Sequence, residues 1–175
     1  MKHIIETDRL ILREFIQFDS EKIYELNSDP DVLKYTGDLP FNSIREAKSF
    51  IENYSEYKRN CFGRWAVIYK ESNEFLGWCG LKLNEENIVD IGFRFFKKEW
   101  NKGYATESAK AVLYFGFNSL GIDQIIGRTA PNNVASIKVL EKLHMKFWKV
   151  ADCKGIENSL YYTLSKTQHA EAQMR

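Results

Sequence analysis

The spacing of apolar residues changes its period several times along the chain. Residues 9–15, RLILREF, set Leu10 and Leu12 against Ile11 and Arg13, the two-residue repeat of a strand. From Asp19 the spacing lengthens. Ile23, Tyr24 and Leu26 suit a helix for which Asp19 is a candidate cap. SDPDVLKYTG (28–37) reads as a break, then a short turn and a loop. Residues 43–58 carry helical spacing again. Ser43 and Glu46 stand in capping-box spacing, and Ala47, Phe50, Ile51 and Tyr54 make one apolar stripe.

Strand period then returns. RWAVIYK (64–70) and FLGWCGLKL (75–83) predict two strands around the polar turn ESNE, and IVDIGFRFF (88–96) a third. EWNKGYATESA (99–109) leads into a helix through Ala105, Ala109, Val112 and Leu113. QIIGRTA (124–130) is a further strand, followed by a helix from Asn133 to Leu143 and by two closing strands, KFWKVAD and SLYYTL. The order β-α-α-β-β-β-α-β-α-β-β predicts an α/β (α+β) fold, a mixed sheet with helices on its faces. Beyond Leu164 the apolar content falls away. A single domain over 1–165 with a frayed tail at 166–175 is expected.

A chain of 175 residues, 44% hydrophobic, fits one domain with a sizeable core. A formal net charge of +1 builds no field for a polyanion, so nucleic acid is not an expected partner. The three cysteines (Cys61, Cys79, Cys153) are odd in number and widely spaced. They suit neither a disulfide framework nor a metal site, and read as free thiols in a reducing compartment. MKHIIETDRL is too polar for a secretory leader, and no apolar run reaches the about 18 residues of a membrane span. A cytoplasmic protein, monomer or homodimer, is expected.

The candidate chemistry lies in EWNKGYATESA. A helix N-terminus leaves about four backbone N–H groups without internal partners, and with the helix dipole these form an anion site. Gly103 lets the backbone approach a ligand closely, and Ala105 keeps the first turn narrow. The segment is not a P-loop, because no Lys-Ser/Thr follows the glycine. It is not the dinucleotide fingerprint, which needs three glycines. On spacing alone, a phosphate cradle and a plain strand-to-helix connection both remain open.

WNKGYATESA resembles the Q/R-x-x-G-x-G/A signature of the GNAT superfamily of N-acetyltransferases, with Trp100, Gly103 and Ala105 in the signature positions. Tryptophan in the first position is similar to the branch of ribosomal-protein N-terminal acetyltransferases (RimJ/RimL-like). ETDRLILREF resembles that branch's opening strand, SDPDVLKYTG its loop between the first two helices, and NNVASIKVLEKLHMK its N-x-x-S helix, with Asn133 and Ser136 in register. The four matches run in order through nearly the whole chain. One departure is KLHM where the family has KLGF: His144 stands in the glycine position. Histidine is among the residues enriched at positive φ, so a helix-end role is expected rather than a catalytic one.

The resemblance implies a mixed, mostly antiparallel sheet of about seven strands flanked by about four helices, with two strands splayed into a cofactor cleft. It implies acetyl-CoA as cosubstrate and no metal. The pyrophosphate would lie on the backbone of Asn101, Lys102, Gly103, Tyr104, Ala105 and Thr106. The pantetheine arm would pair with the strand edge at Phe93, Arg94 and Phe95, in the manner of strand addition. Asn133 and Ser136 would also contact the cofactor. Tyr35 and Phe41 are candidates for the acceptor wall.

Direct acetyl transfer needs a neutral amine, a proton route and support for the oxyanion. An α-amine, with a pKa about 7.7–8.0, is cheaper to deprotonate near pH 7 than lysine at about 10.4. Asp90, in VDIGF, is the candidate proton acceptor. Alternation places it with Gly92 and Arg94 on one strand face, so an ion pair with Arg94 is the competing reading. Glu157 is another acid that could serve. Ser136 is the candidate donor to the departing thiolate. Glu107, in the first turn of its helix, reads as structural. A Cys79 nucleophile would need an activated thiolate beside a base, and no histidine is near it in sequence. The expected reaction is acetylation of a primary amine, with a protein N-terminal α-amine as the leading candidate. The alternatives are a small-molecule acceptor (aminoglycoside or polyamine) and a non-catalytic acyl-CoA-binding module.

Overall fold

The computed structural model describes residues 3–153 and 155–174. Eight strands form one sheet: β1 (His3–Glu6), β2 (Leu10–Arg13), β3 (Arg64–Tyr69), β4 (Phe75–Leu83), β5 (Val89–Phe95), β6 (Gln124–Thr129), β7 (Lys146–Cys153) and β8 (Ile156–Ser165). Their order across the sheet is β1-β2-β3-β4-β5-β6-β8-β7. Neighbours are antiparallel except β5 and β6, which run parallel. The predicted mixed, mostly antiparallel sheet is present. The strand that sequence reading missed is β1, four residues that pair with β2 across a turn closed by Thr7 N–H to the Leu10 carbonyl at 2.9 Å.

Seven helices lie among the described residues: α1 (Ser20–Leu26), α2 (Pro30–Leu33), α3 (Ile44–Glu52), α4 (Glu56–Asn60), α5 (Tyr104–Asn118), α6 (Val134–Lys142) and α7 (Lys166–Gln173). β3 shows how the sheet serves two cores. Its Trp65 and Val67 face α5 with Leu81, Ile91, Val112 and Leu113, whereas Ala66 and Ile68 face α1 and α3 with Ile23, Leu26 and Ile51.

Several local expectations are corrected. Residues 43–58 are not one helix; α3 ends at Glu52 and α4 starts at Glu56. The aromatic rings of Tyr54 and Tyr57 turn inward instead. Tyr54 Oη accepts the Arg64 N–H at 2.7 Å, and Tyr57 Oη bonds the Arg64 carbonyl and accepts the Phe15 N–H. Ser43 does cap α3, accepting the Glu46 N–H at 3.2 Å, but Glu46 reaches back one residue further than the box requires, to the Asn42 N–H at 2.7 Å. Asp19 does not cap α1 with its side chain. Its carboxylate takes both Arg13 nitrogens, at 2.7 and 2.8 Å, in a buried pair. The loop at 28–37 contains α2, started by Asp29, whose carboxylate accepts the Asp31 N–H, and by Pro30 at the first helical position.

The tail expected to fray folds into α7. Ser165 and Gln168 form a reciprocal capping box, at 3.2 and 3.0 Å, that gives a weakly apolar helix its start. Arg175 lies outside the described residues. His144 adopts φ 60°. Its N–H bonds the Glu141 carbonyl at 2.9 Å, and the Met145 N–H bonds the Leu140 carbonyl at 3.2 Å, which closes α6 in a Schellman motif. His144 is therefore a helix-end residue, as its sequence position suggests.

Candidate active site

β5 positions the site. On one side it pairs with β4 along its whole length, from Val89↔Leu83 to Phe95↔Gly77. On the other, it meets β6 only at Asp90↔Ile126 and Ile91↔Gly127. From Gly92 to Phe95 that edge has no strand partner, because β5 and β6 splay apart. The wedge continues into the turn before α5. Gly103 takes φ 85°, a left-handed conformation that a glycine adopts without strain. No side chain caps α5, so its first N–H groups are left for another acceptor.

The wedge and the turn together form a cleft of about 580 Å³. Phe93, Arg94, Phe95, Asn101, Gly103, Tyr104, Ala105, Thr106, Asn133 and Ser136 all line it, as does Tyr35. Of the predicted cofactor residues, Lys102 alone is not in the lining; it turns to Glu99, 3.0 Å away. Phe41 is not in the lining either. It packs in the second core against Phe50, at 5.7 Å between centroids. Asn133 caps α6 by accepting the Ser136 N–H at 3.2 Å, which holds Ser136 at the cleft wall.

Some cleft residues were missed. Val134, Lys138 and Lys142 line it from one face of α6 at a spacing of four, and that spacing was the available signal. In the sequence Trp100 marks only a signature position. Its indole N–H donates to the Phe95 carbonyl at 2.9 Å and ties the turn back to the end of β5.

Asp90 is not part of this cleft. It lines a second pocket, of about 230 Å³. The suggested Asp90–Arg94 pair does not form. Asp90 Oδ2 accepts from Arg128 Nη2 at 2.7 Å and Nε at 3.0 Å, and Arg64 Nη2 stands 4.0 Å away. Arg94 turns the other way, to Asp38 at 2.5 Å and to Asn27. Asp90 and Arg128 lie 38 residues apart in sequence; the parallel pairing of β5 with β6 brings them together, which no local pattern announces.

Glu107 acts as a strut beneath the turn. It accepts from Thr7 Oγ1 at 2.6 Å, the Arg9 N–H at 3.1 Å and Arg9 Nε at 2.7 Å. Burial opposes its ionisation, but the Thr7 and Arg9 hydrogen bonds outweigh it and hold the carboxyl below the ordinary glutamate range. A carboxyl whose pKa is lowered on folding contributes stability above its unfolded pKa and loses it as pH falls through the folded one. Glu107→Gln is expected to lower stability by roughly 1.5–3 kcal/mol at neutral pH. The deficit should shrink below the ordinary glutamate range, as melting temperatures against pH would show. A deficit that does not change with pH would contradict the charged strut.

Cys79 is fully buried in the core, and burial pushes its thiol up to about 12. A neutral, enclosed thiol is a poor nucleophile. Cys79→Ala is expected to keep turnover within about threefold, since small changes at a site outside the chemistry cost little. Intact-mass measurement after mixing with acetyl-CoA should show no stoichiometric adduct on the wild type.

The site is thus framed by an open sheet with one parallel junction, splayed at the entry to a glycine-led helix. The family model described as "Acetyltransferase (GNAT) domain" matches residues 9–146. An uncharacterized N-acetyltransferase of Bacillus subtilis strain 168, YnaD, is 32% identical over 166 residues, covering 91% of this chain and 95% of that protein. The crystal structure of a GNAT-family acetyltransferase from Bacillus anthracis has a TM-score of 0.78 at 31% identity, over 93% of this chain and 98% of that one. A spermidine N-acetyltransferase from Vibrio cholerae, solved with CoA and spermine, shares the fold at a TM-score of 0.78 and 17% identity, over 94% of this chain and 99% of that one. The chain belongs to the GNAT acetyltransferase family and is an acetyl-CoA-dependent N-acetyltransferase.

Proposed function

We propose that the protein transfers an acetyl group from acetyl-CoA directly to a primary amine within a ternary complex. The observation that carries this reading is the β5 edge from Gly92 to Phe95, which has no strand partner, continuous with the uncapped N-terminus of α5. An extended amide-bearing arm can pair with the first, and a pyrophosphate can accept from the second. Lys138 and Lys142 supply positive charge on the facing wall. Ser136, at that wall, is assigned to the departing thiolate, and Tyr35 to the acceptor side.

Asp90 is assigned the proton, through water. Its Oδ2 is taken by Arg128, but Oδ1 accepts no hydrogen bond among the described residues. The acceptor is a primary amine: the α-amine of a protein N-terminus, as a ribosomal-protein acetyltransferase would use, or in the alternative an amine of a small molecule such as an aminoglycoside or polyamine. The test is thiol release from acetyl-CoA with N-terminal peptides, aminoglycosides and polyamines. Turnover with any of them supports the reading. Tight CoA binding with no turnover across the panel supports a non-catalytic module instead.

A further inference from the structure

We propose that the pocket beside Asp90 binds a carboxylate carried by the amine acceptor, held by Arg64 and Lys82. This rests on the acetyltransfer reading and adds the class of acceptor to it. The pocket, of about 230 Å³, is lined by Arg64, Lys82, Asn84, Glu85, Asp90 and Arg128 among others. Its three cations outnumber its two carboxylates. Both carboxylates are engaged by Arg128: Asp90 at 2.7 and 3.0 Å, and Glu85 at 3.2 Å. Lys82 is exposed and makes no ion pair among the described residues.

Arg64 is held in place chiefly by carbonyls, and it shares the Asp90 carboxylate with Arg128, which stands closer to it. Its Nη1 donates to two carbonyls, Gly80 at 2.6 Å and Asp90 at 3.4 Å. These orient the group but carry no net charge. The nearest carboxylate oxygen is 4.0 Å from Nη2, beyond hydrogen-bond reach. The guanidinium rests on the Trp78 ring at 5.1 Å. Gly92 makes room for it: a Cβ there would stand 2.5 Å from Nη1. The Nε and Nη2 edge is left without a hydrogen bond among the described residues. Two parallel N–H groups on one edge match the two oxygens of a carboxylate.

The pocket and the cleft both border β5, the first at Asp90 and the second from Phe93 to Phe95. Arg94, which lines the cleft, lies over the same Trp78 ring as Arg64, at 5.3 Å. Asp90 and Phe93 are three residues apart on β5, about 10 Å along the strand, which sets the scale of the spacer between carboxylate and amine. A polyamine would instead place a second cation among Arg64, Lys82 and Arg128.

The test uses amines paired by charge. These are glycine, 4-aminobutyrate and 6-aminohexanoate against their amides, a Ser-Asp against a Ser-Asn N-terminal peptide, and glucosamine 6-phosphate against glucosamine, with spermidine alongside. At least one carboxylate member should exceed its neutral partner about tenfold in kcat/KM, mainly through KM. Free amino acids and the peptide pair distinguish the two sources of the carboxylate. Arg64→Gln and Lys82→Ala should bring the ratio below about threefold, with CoA binding by calorimetry unchanged. Lys82 is a surface side chain, so its variant decides the matter if Arg64→Gln does not fold. Equal rates within every pair, a larger ratio for the phosphate pair, or spermidine as the best acceptor would each overturn the proposal. If no amine turns over, calorimetry of 6-aminohexanoate and its amide on the CoA complex decides. A preference for the acid keeps the pocket and sinks only the acetyltransfer reading, and no preference sinks the pocket.

Discussion

Gly103→Glu is expected to weaken CoA binding at least a hundredfold, about 2.7 kcal/mol, in a protein that still folds. Two effects combine at this residue. The backbone sits at φ 85°, which costs a non-glycine residue about 1–2 kcal/mol. The new carboxylate would also stand where the uncapped amides of α5 face a doubly charged pyrophosphate. Space is not the obstacle, because a Cβ at this position meets only Arg9 Nη2, at 3.3 Å. Gly103→Ala separates the terms. It carries the conformational cost without the charge, and should lose tenfold or less. Calorimetric titration of both variants with CoA, alongside their melting curves, measures each contribution. Unchanged affinity in folded Gly103→Glu would remove the turn from the cofactor site.

What could be read from the chain follows from the range of the interactions involved. Strand and helix periods are local, and they located seven of the eight strands and the helices that build both cores. The turn at Gly103 was legible because a single residue type answers a single backbone demand. β1 was not legible: four residues near a terminus give too short a repeat, and the partner Leu10–Arg13 supplies what they lack. α7 was missed because its stability comes from a cap, Ser165 with Gln168, and not from an apolar stripe. Alternation correctly placed Asp90, Gly92 and Arg94 on one face, but it could not choose their partners. Asp90 finds Arg128 through the parallel junction of β5 with β6, and Arg94 finds Asp38 in the loop after α2. Those are long-range pairings, invisible to any window of sequence.

Asp90→Asn should show which of two roles that pairing serves. The substitution keeps the shape, removes the charge, and leaves Arg128 with Glu85 alone. Stability should fall by on the order of 1–3 kcal/mol, because donors buried beside Asp90 lose a charged acceptor. If Asp90 also takes the proton of the amine through water, kcat should fall by about 10²–10⁴, the usual worth of a general base. Acetyl-CoA affinity should be little changed, since Asp90 lies outside the cleft lining. The rate deficit should shrink as pH rises toward the pKa of the amine, where solvent supplies the neutral nucleophile. Arg128→Gln is the control, because it breaks the same ion pair from the other side and keeps the carboxylate. It should lower the melting temperature by a similar amount while retaining most of the rate. A pH–rate profile of both variants on one amine, read with their melting temperatures, separates the roles. Equal losses of rate in the two, without dependence on pH, would make Asp90 a structural partner of Arg128 and pass the proton to ordered water or another acid such as Glu157.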